Sequence, residues 1–146
     1  MHEIPILQIG MGPLGQRIAQ FLRERPGLRP VGAVDVDPGK TGTDAGTLSG
    51  GPPLGVPVAG TLSEALETCT PQVALVTTVS SIRSAAPQIE AVVAQGLPVV
   101  STCEELSYPW AAAPEAARAI DRAARARGVA VLGTGVNPGF LMDLLP

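Results

Sequence analysis

The segment Ile4-Pro5-Ile6-Leu7-Gln8-Ile9-Gly10-Met11-Gly12-Pro13-Leu14-Gly15 decides how the rest of the chain is read. Its first six residues are a short, mostly apolar run ending in glycine, the pattern of a strand buried on both faces. Pro13 to Arg25 then places Leu14, Ile18, Phe21 and Leu22 at helical spacing, and Pro26-Gly27 stops that helix. Between strand and helix lies G-x-G-x-x-G, in which each glycine has its own duty. The first permits the tight turn, the second lets backbone approach a pyrophosphate, and the third lets the helix pack on the strand, while unpaired N–H groups at the helix start face the anion. With 17 glycines in 146 residues, about 0.2 such triplets arise by chance, so the strand before and the helix after carry the specificity.

A third feature agrees with the first two. Pro30 to Val36 is a second apolar run that closes on Asp35, 20 residues beyond Gly15, where a carboxylate can accept from ribose hydroxyls. A 2′-phosphate would meet its repulsion, and no Arg or Lys adjoins it in sequence, so the cofactor is read as NAD or NADP with NAD favoured. Lys40 qualifies this, because a mobile loop could carry it to a phosphate.

Working outward, Asp37 to Pro57 holds six Gly and four Pro and is read as a long irregular loop without a periodic element. Thr61 or Ser63 caps a short helix through Thr68, and Val73 to Val79 is β-branched enough for a buried strand. Ala85 to Gln95 is a helix with Ile89, Val92 and Val93 inward; Gly96 ends it before the apolar run Leu97 to Val100. Pro114 to Arg127 keeps Ala116, Ala117, Ile120 and Ala124 on one face and offers Asp121 and Arg125 as an i,i+4 pair, until Gly128. Val129 to Leu132 is the last strand. Five or six buried strands alternating with helices define an α/β class, a Rossmann-type, doubly wound and mostly parallel sheet in one domain over residues 1–146.

Composition narrows the function. The chain is 45% apolar and 16% charged, which suits a globular core and not a disordered chain. Ten basic against thirteen acidic residues give a net charge of −3, without the basic footprint that a nucleic acid would need. Nine of the ten basic residues are Arg, many on Ala-rich stretches where a solvated helix face accounts for them. No apolar run reaches the roughly 18 residues of a membrane span, and Met1-His2-Glu3-Ile4-Pro5 lacks a basic region and a long apolar region, so neither export nor a membrane span is expected. Cys69 and Cys103 form neither a CxxC pair nor a disulfide framework, so a cytoplasmic location is expected.

In such sheets ligands sit at the carboxyl ends of the strands. Thr77-Thr78-Val79-Ser80-Ser81, Ser101-Thr102-Cys103-Glu104-Glu105 and Gly133-Thr134-Gly135-Val136-Asn137-Pro138-Gly139 occupy those places. The only histidine is His2, expected to fray, so no Ser-His-Asp device and no His-containing metal site can be assembled. Tyr108 is followed four positions later by Ala112, which removes a Tyr-x-x-x-Lys relay. Pro109 and Trp110 read as a packing or interface anchor, Cys103 as a small buried thiol. Glu104 and Glu105 are the carboxylates that could move a proton. A non-catalytic nucleotide- or CoA-binding sensing module, and an S-adenosylmethionine site, stay open beside the dehydrogenase reading.

Gly10 to Gly15, Asp35, Ser101 to Leu106 and especially Gly133 to Asp143 resemble the N-terminal domain of dihydrodipicolinate-reductase-like proteins, within them the 2,4-diaminopentanoate dehydrogenases. The resemblance covers essentially the whole chain. It implies an NAD(P)-dependent oxidoreductase that moves hydride between nicotinamide and a small amino-acid-derived substrate. It implies further that Gly10, Met11, Gly12, Pro13, Leu14 and Gly15 bind pyrophosphate and Asp35 the adenosine ribose. Thr77, Thr78, Ser101, Thr102, Gly133, Thr134, Gly135 and Asn137 would line the nicotinamide half. Family members continue into a C-terminal α+β domain that supplies catalytic groups and the oligomer interface. The catalytic residues are accordingly expected beyond Leu144-Leu145-Pro146, turnover is not expected from these residues alone, and a homo-oligomer stays open.

Overall fold

A computed structural model describes residues 3–145, the side chains of Pro138 and Asp143 excepted. His2 and Pro146 lie outside the described residues. Parallel strands alternate with helices in an α/β, Rossmann-like architecture, and the chain divides into two compact units, Met1–Thr77 and Thr78–Pro146.

In the first unit the order of elements is β1 (Ile4–Ile9), α1 (Pro13–Glu24), β2 (Leu28–Val34), α2 (Ala45–Leu48), β3 (Val58–Ala59), α3 (Leu62–Thr68) and β4 (Val73–Val76). Its strands lie in the order β3-β2-β1-β4. The chain thus moves one way from β1 to β2 and β3 and then returns to the other side of β1. In sheets of this kind such a reversal marks the carboxyl end of the first strand as the ligand side, and the glycine loop follows β1 there. Ile6, Leu7, Gln8 and Ile9 are all buried, as a central parallel strand requires. Pro30 lacks an N–H to give the ladder, and the β1/β2 register slips beside it, between Ile6 and Leu7.

Helix α1 buries Gly15, Ala19 and Leu22, whereas Leu14 and Phe21, expected on its inward face, are 52% and 49% exposed. The smaller side chains win because the helix lies too close to the strand loop for large ones. Thr61 accepts from the Glu64 N–H at 3.2 Å and Glu64 returns to the Gly60 N–H at 3.0 Å, a reciprocal cap that starts α3.

The stretch 37–57 is not featureless. Ala45–Leu48 forms one helical turn, Asp44 bridges Pro57, and Ala45, Val56 and Val58 pack with Met11, Ala19 and Ala33. One carboxylate organises it: Asp44 accepts from the N–H groups of Thr47 (3.0 Å), Leu54 (2.9 Å) and Val56 (3.0 Å). Burial alone would raise its pKa, but the N–H groups of Leu54, Thr47, Val56 and Gly55 outweigh that and pull it down to about 2. Folding stability from this group is therefore full above the unfolded value of 3.8 and is lost as pH falls toward 2. Asp44→Ala is expected to cost about 3 kcal/mol through several lost charge-assisted hydrogen bonds, seen as a lower urea midpoint at pH 7 and a smaller deficit at pH 3.

The second unit contains α4 (Ile82–Ala94), β5 (Val99–Ser101), a 3-10 turn over Glu104–Ser107, α5 (Pro109–Ala112), α6 (Pro114–Arg127), β6 (Val131–Gly133) and a wide-turned helical segment, Val136–Leu144, with extended backbone at Asn137. Strands β5 and β6 pair in parallel, Val99 opposite Val131. Helix α6 has the bounds and face read from its periodicity, with Ala117, Ile120 and Ala124 buried, its arginines outward and Arg125 bonded to Asp121 at 2.9 Å. Gly128, at φ 65°, supplies the left-handed cap that ends it. Trp110 is 43% exposed. Among the described residues no helix is long and apolar enough to cross a membrane.

Candidate nucleotide-binding site

The turn after β1 is built from below. Gly10, at φ 91°, adopts a conformation that L side chains rarely take, and its N–H donates to the Val34 carbonyl at 2.8 Å. Gln8 and Thr77 hold its carbonyl: Gln8 Nε2 donates to it at 3.1 Å and to Thr77 Oγ1 at 2.7 Å, and the Thr77 hydroxyl donates to it at 3.0 Å. Both side chains are buried. Thr77 therefore spends its hydroxyl inside the turn rather than at a ligand surface. Gln8 was not singled out in the sequence, although a lone amide within an apolar strand is a signal, because a buried polar group must be bonded. Its Oε1 finds no partner among the described residues.

The other two glycines differ sharply. A Cβ on Gly15 would overlap the Gly10 carbonyl oxygen, so this glycine is what lets α1 lie against the turn. A Cβ on Gly12 would meet nothing within 4 Å, so its face of the loop opens on empty space. Around that hollow the N–H groups of Gly12, Leu14 and Gly15 find no acceptor among the described residues. Pro13 has no N–H and sets the first helical turn. The Gln16 side chain donates to the Met11 carbonyl at 2.9 Å and steadies the loop.

Asp35 faces this loop. Its Oδ2 accepts from the Met11 N–H at 2.7 Å and from Lys40 Nζ at 3.1 Å, and its Oδ1 accepts from the Asp37 N–H at 2.9 Å. One loop amide is thus bound to the acid instead of standing free. Burial would raise the Asp35 pKa, but the N–H groups of Asp37 and Met11 and the Lys40 ammonium together hold it below the ordinary value. Lys40, with no place beside Asp35 in sequence, stands beside it in space. Val36 next to them is 89% exposed and gives the site an apolar surface of the kind that a purine ring covers.

In the second unit Ser101 is buried, its Oγ accepting from the Cys103 N–H at 3.1 Å, and its carbonyl accepts from the Thr134 N–H at 2.9 Å. A Cβ on Gly133 would press on the Leu106 and Ser107 backbone at 2.8 and 2.9 Å, and one on Gly135 would touch Thr102. The two strand-end blocks Ser101-Thr102 and Gly133-Thr134-Gly135 are therefore brought together. Asn137 is exposed, as is Thr78, whose hydroxyl donates to Gln88 at 2.7 Å. Cys103 is buried, its thiol donating to the Ser80 carbonyl at 3.1 Å, and burial pushes its pKa up. Glu105 accepts from the Ile82 N–H at 2.9 Å and caps α4.

A parallel α/β sheet with a glycine turn at its switch point and an acid after the second strand defines a Rossmann-type nucleotide-binding domain of the kind that dehydrogenases carry. The family description "CoA binding domain" matches residues 1–105, and the chain belongs to that family. It is similar to the 2,4-diaminopentanoate dehydrogenase of Acetoanaerobium sticklandii, 35% identical over 99% of this chain and 41% of that protein. Among solved structures it is similar to an amine dehydrogenase from Mycobacterium smegmatis, with 33% identity, a TM-score of 0.85 and coverage of 90% of this chain and 39% of that one. It is also similar to GenD2 from gentamicin A biosynthesis in complex with NAD, with 27% identity, a TM-score of 0.68 and coverage of 91% and 34%. The chain spans about two fifths of the length of that curated relative.

Proposed function

We propose that the chain is the cofactor-binding part of an NAD(P)-dependent dehydrogenase acting on a small amino-acid-derived substrate, with NAD the favoured cofactor. The observation that carries this reading is the open face of Gly12, ringed by unpaired N–H groups and flanked by Asp35. The N–H groups of Gly12, Leu14 and Gly15, at the positive end of α1, would hold a pyrophosphate. Asp35 would accept from a ribose hydroxyl and Val36 would cover adenine. By matching position, Thr78, Ser101, Thr102, Thr134 and Asn137 are assigned to the nicotinamide half, which supplies hydride transfer when bound. Of the two carboxylates after β5, Glu105 is committed to the Ile82 N–H, whereas Glu104 is exposed.

The family description favours CoA as a second reading, since CoA shares the adenosine and the pyrophosphate. It also carries a phosphate on that ribose, which would have to draw the Lys40 ammonium away from Asp35 and Asp37. Calorimetric titration of the chain with NADH, NADPH and CoA separates the readings: NADH is expected to bind tightest. CoA binding tighter than either dinucleotide would reverse the assignment. Asp35→Ala is expected to weaken NADH about tenfold by removing a charge-assisted hydrogen bond.

A further inference from the structure

The Asp35 carboxylate is nearly full. A carboxylate has about four acceptor positions; here the two on Oδ2 are taken by the Met11 N–H and Lys40 Nζ, and one on Oδ1 by the Asp37 N–H. One position on Oδ1 remains, enough for a ribose hydroxyl without disturbing the lysine. A phosphate in place of that hydroxyl meets two carboxylates, Asp35 and Asp37, and Lys40 is the cation within reach. The arginines of this unit are engaged or placed elsewhere. Arg17 lies over the Phe21 ring, Arg29 pairs with Glu3, and Arg23 and Arg25 stand at the far end of α1, roughly 15 Å along its axis from the glycine loop.

Lys40 is built to move its charge and not its backbone. Its N–H donates to the Asp37 carbonyl at 3.0 Å and its carbonyl accepts from the Thr43 N–H at 3.0 Å, so the main chain is fixed in a turn. Its ammonium is 3.1 Å from Asp35 Oδ2 and 3.6 Å from Asp37 Oδ2, on a side chain still 23% exposed. The hydrogen bond to Asp35 raises its pKa, so it stays charged at neutral pH. A flexible four-carbon stem on a fixed turn can swing that charge outward while the carboxylates keep their backbone donors.

Resting on the dinucleotide reading above, we propose that Lys40 sets the discrimination between NAD and NADP: its ammonium, parked on Asp35 and Asp37, transfers to a 2′-phosphate, so the ribose site accepts the phosphorylated cofactor as well as the plain one. Without this lysine the two carboxylates would disfavour NADP.

The test is calorimetric titration of the full chain and of Lys40→Met and Lys40→Arg with NADH and NADPH at low salt, with melting curves to confirm folding. The wild type is expected to bind both. The ratio of NADPH to NADH affinity is expected to fall about 10- to 100-fold in Lys40→Met, the value of a charged hydrogen bond, and to be largely kept in Lys40→Arg. An unchanged ratio in Lys40→Met, including equal losses of both cofactors, overturns the proposal, as does a wild type that binds NADH and excludes NADPH. A wild type that binds neither overturns the dinucleotide reading itself, and this inference with it.

Discussion

Gly12→Asp is expected to abolish cofactor binding while leaving the protein as stable as before, or more so. Gly12 is the N-cap of α1, at φ −69° and ψ −177°, a conformation that Asp adopts readily and in which its carboxylate satisfies helix N–H groups. Its Cβ would enter open space, so nothing in the fold resists it. The same carboxylate would then stand where the pyrophosphate is proposed to bind, blocking it by volume and by charge. Loss of several charge-assisted hydrogen bonds together with this repulsion puts the NADH affinity down by at least about 100-fold. Calorimetry and a melting curve on the same sample read both halves of the expectation.

Gly15→Ala should do the reverse. Three positions further on, the added Cβ would overlap the Gly10 carbonyl oxygen and come within 2.8 Å of its carbon and 3.0 Å of Thr77 Oγ1. These are backbone and buried atoms pinned by Gln8 and Thr77, so α1 must lift off the strand turn. Alanine's better helix propensity returns only about 1 kcal/mol, against an overpacking cost of about 3 kcal/mol or more. A marked fall in the urea midpoint is expected, with NADH affinity lost as the turn distorts. Two glycines of one motif would thus separate, one serving the ligand and the other the packing.

The elements that were legible in the sequence are those whose physics is local. Helix α6 could be bounded from Pro114 and Gly128, and β1 from an apolar run that stops at glycine. The inward face of α1 was misjudged because closeness to the strand turn selects Gly15 and Ala19 over Leu14 and Phe21, and closeness is a tertiary property. The order in 37–57 was hidden for a similar reason. It depends on one carboxylate, Asp44, gathering N–H groups from residues 3 to 12 positions away, which leaves no period to detect.

The candidate site divides in the same way. The glycine spacing and Asp35 could be read because a turn, a helix start and a strand end each impose a residue type at a fixed place. Gln8 and Thr77 act from beneath the turn, and Lys40 reaches Asp35 through a loop whose path the sequence does not reveal. Charges five residues apart in an irregular segment have no required geometry, so the Asp35–Lys40 pair became visible only with the fold.

Amide chemical shifts, followed while NADH is added to the labelled chain, would examine the glycine loop itself. If the pyrophosphate is held by main-chain amides at the start of α1, the signals of Gly12, Leu14 and Gly15 should move together and saturate with one dissociation constant, while those along α6 stay still. NADH binding that leaves these three amides unmoved would contradict the account.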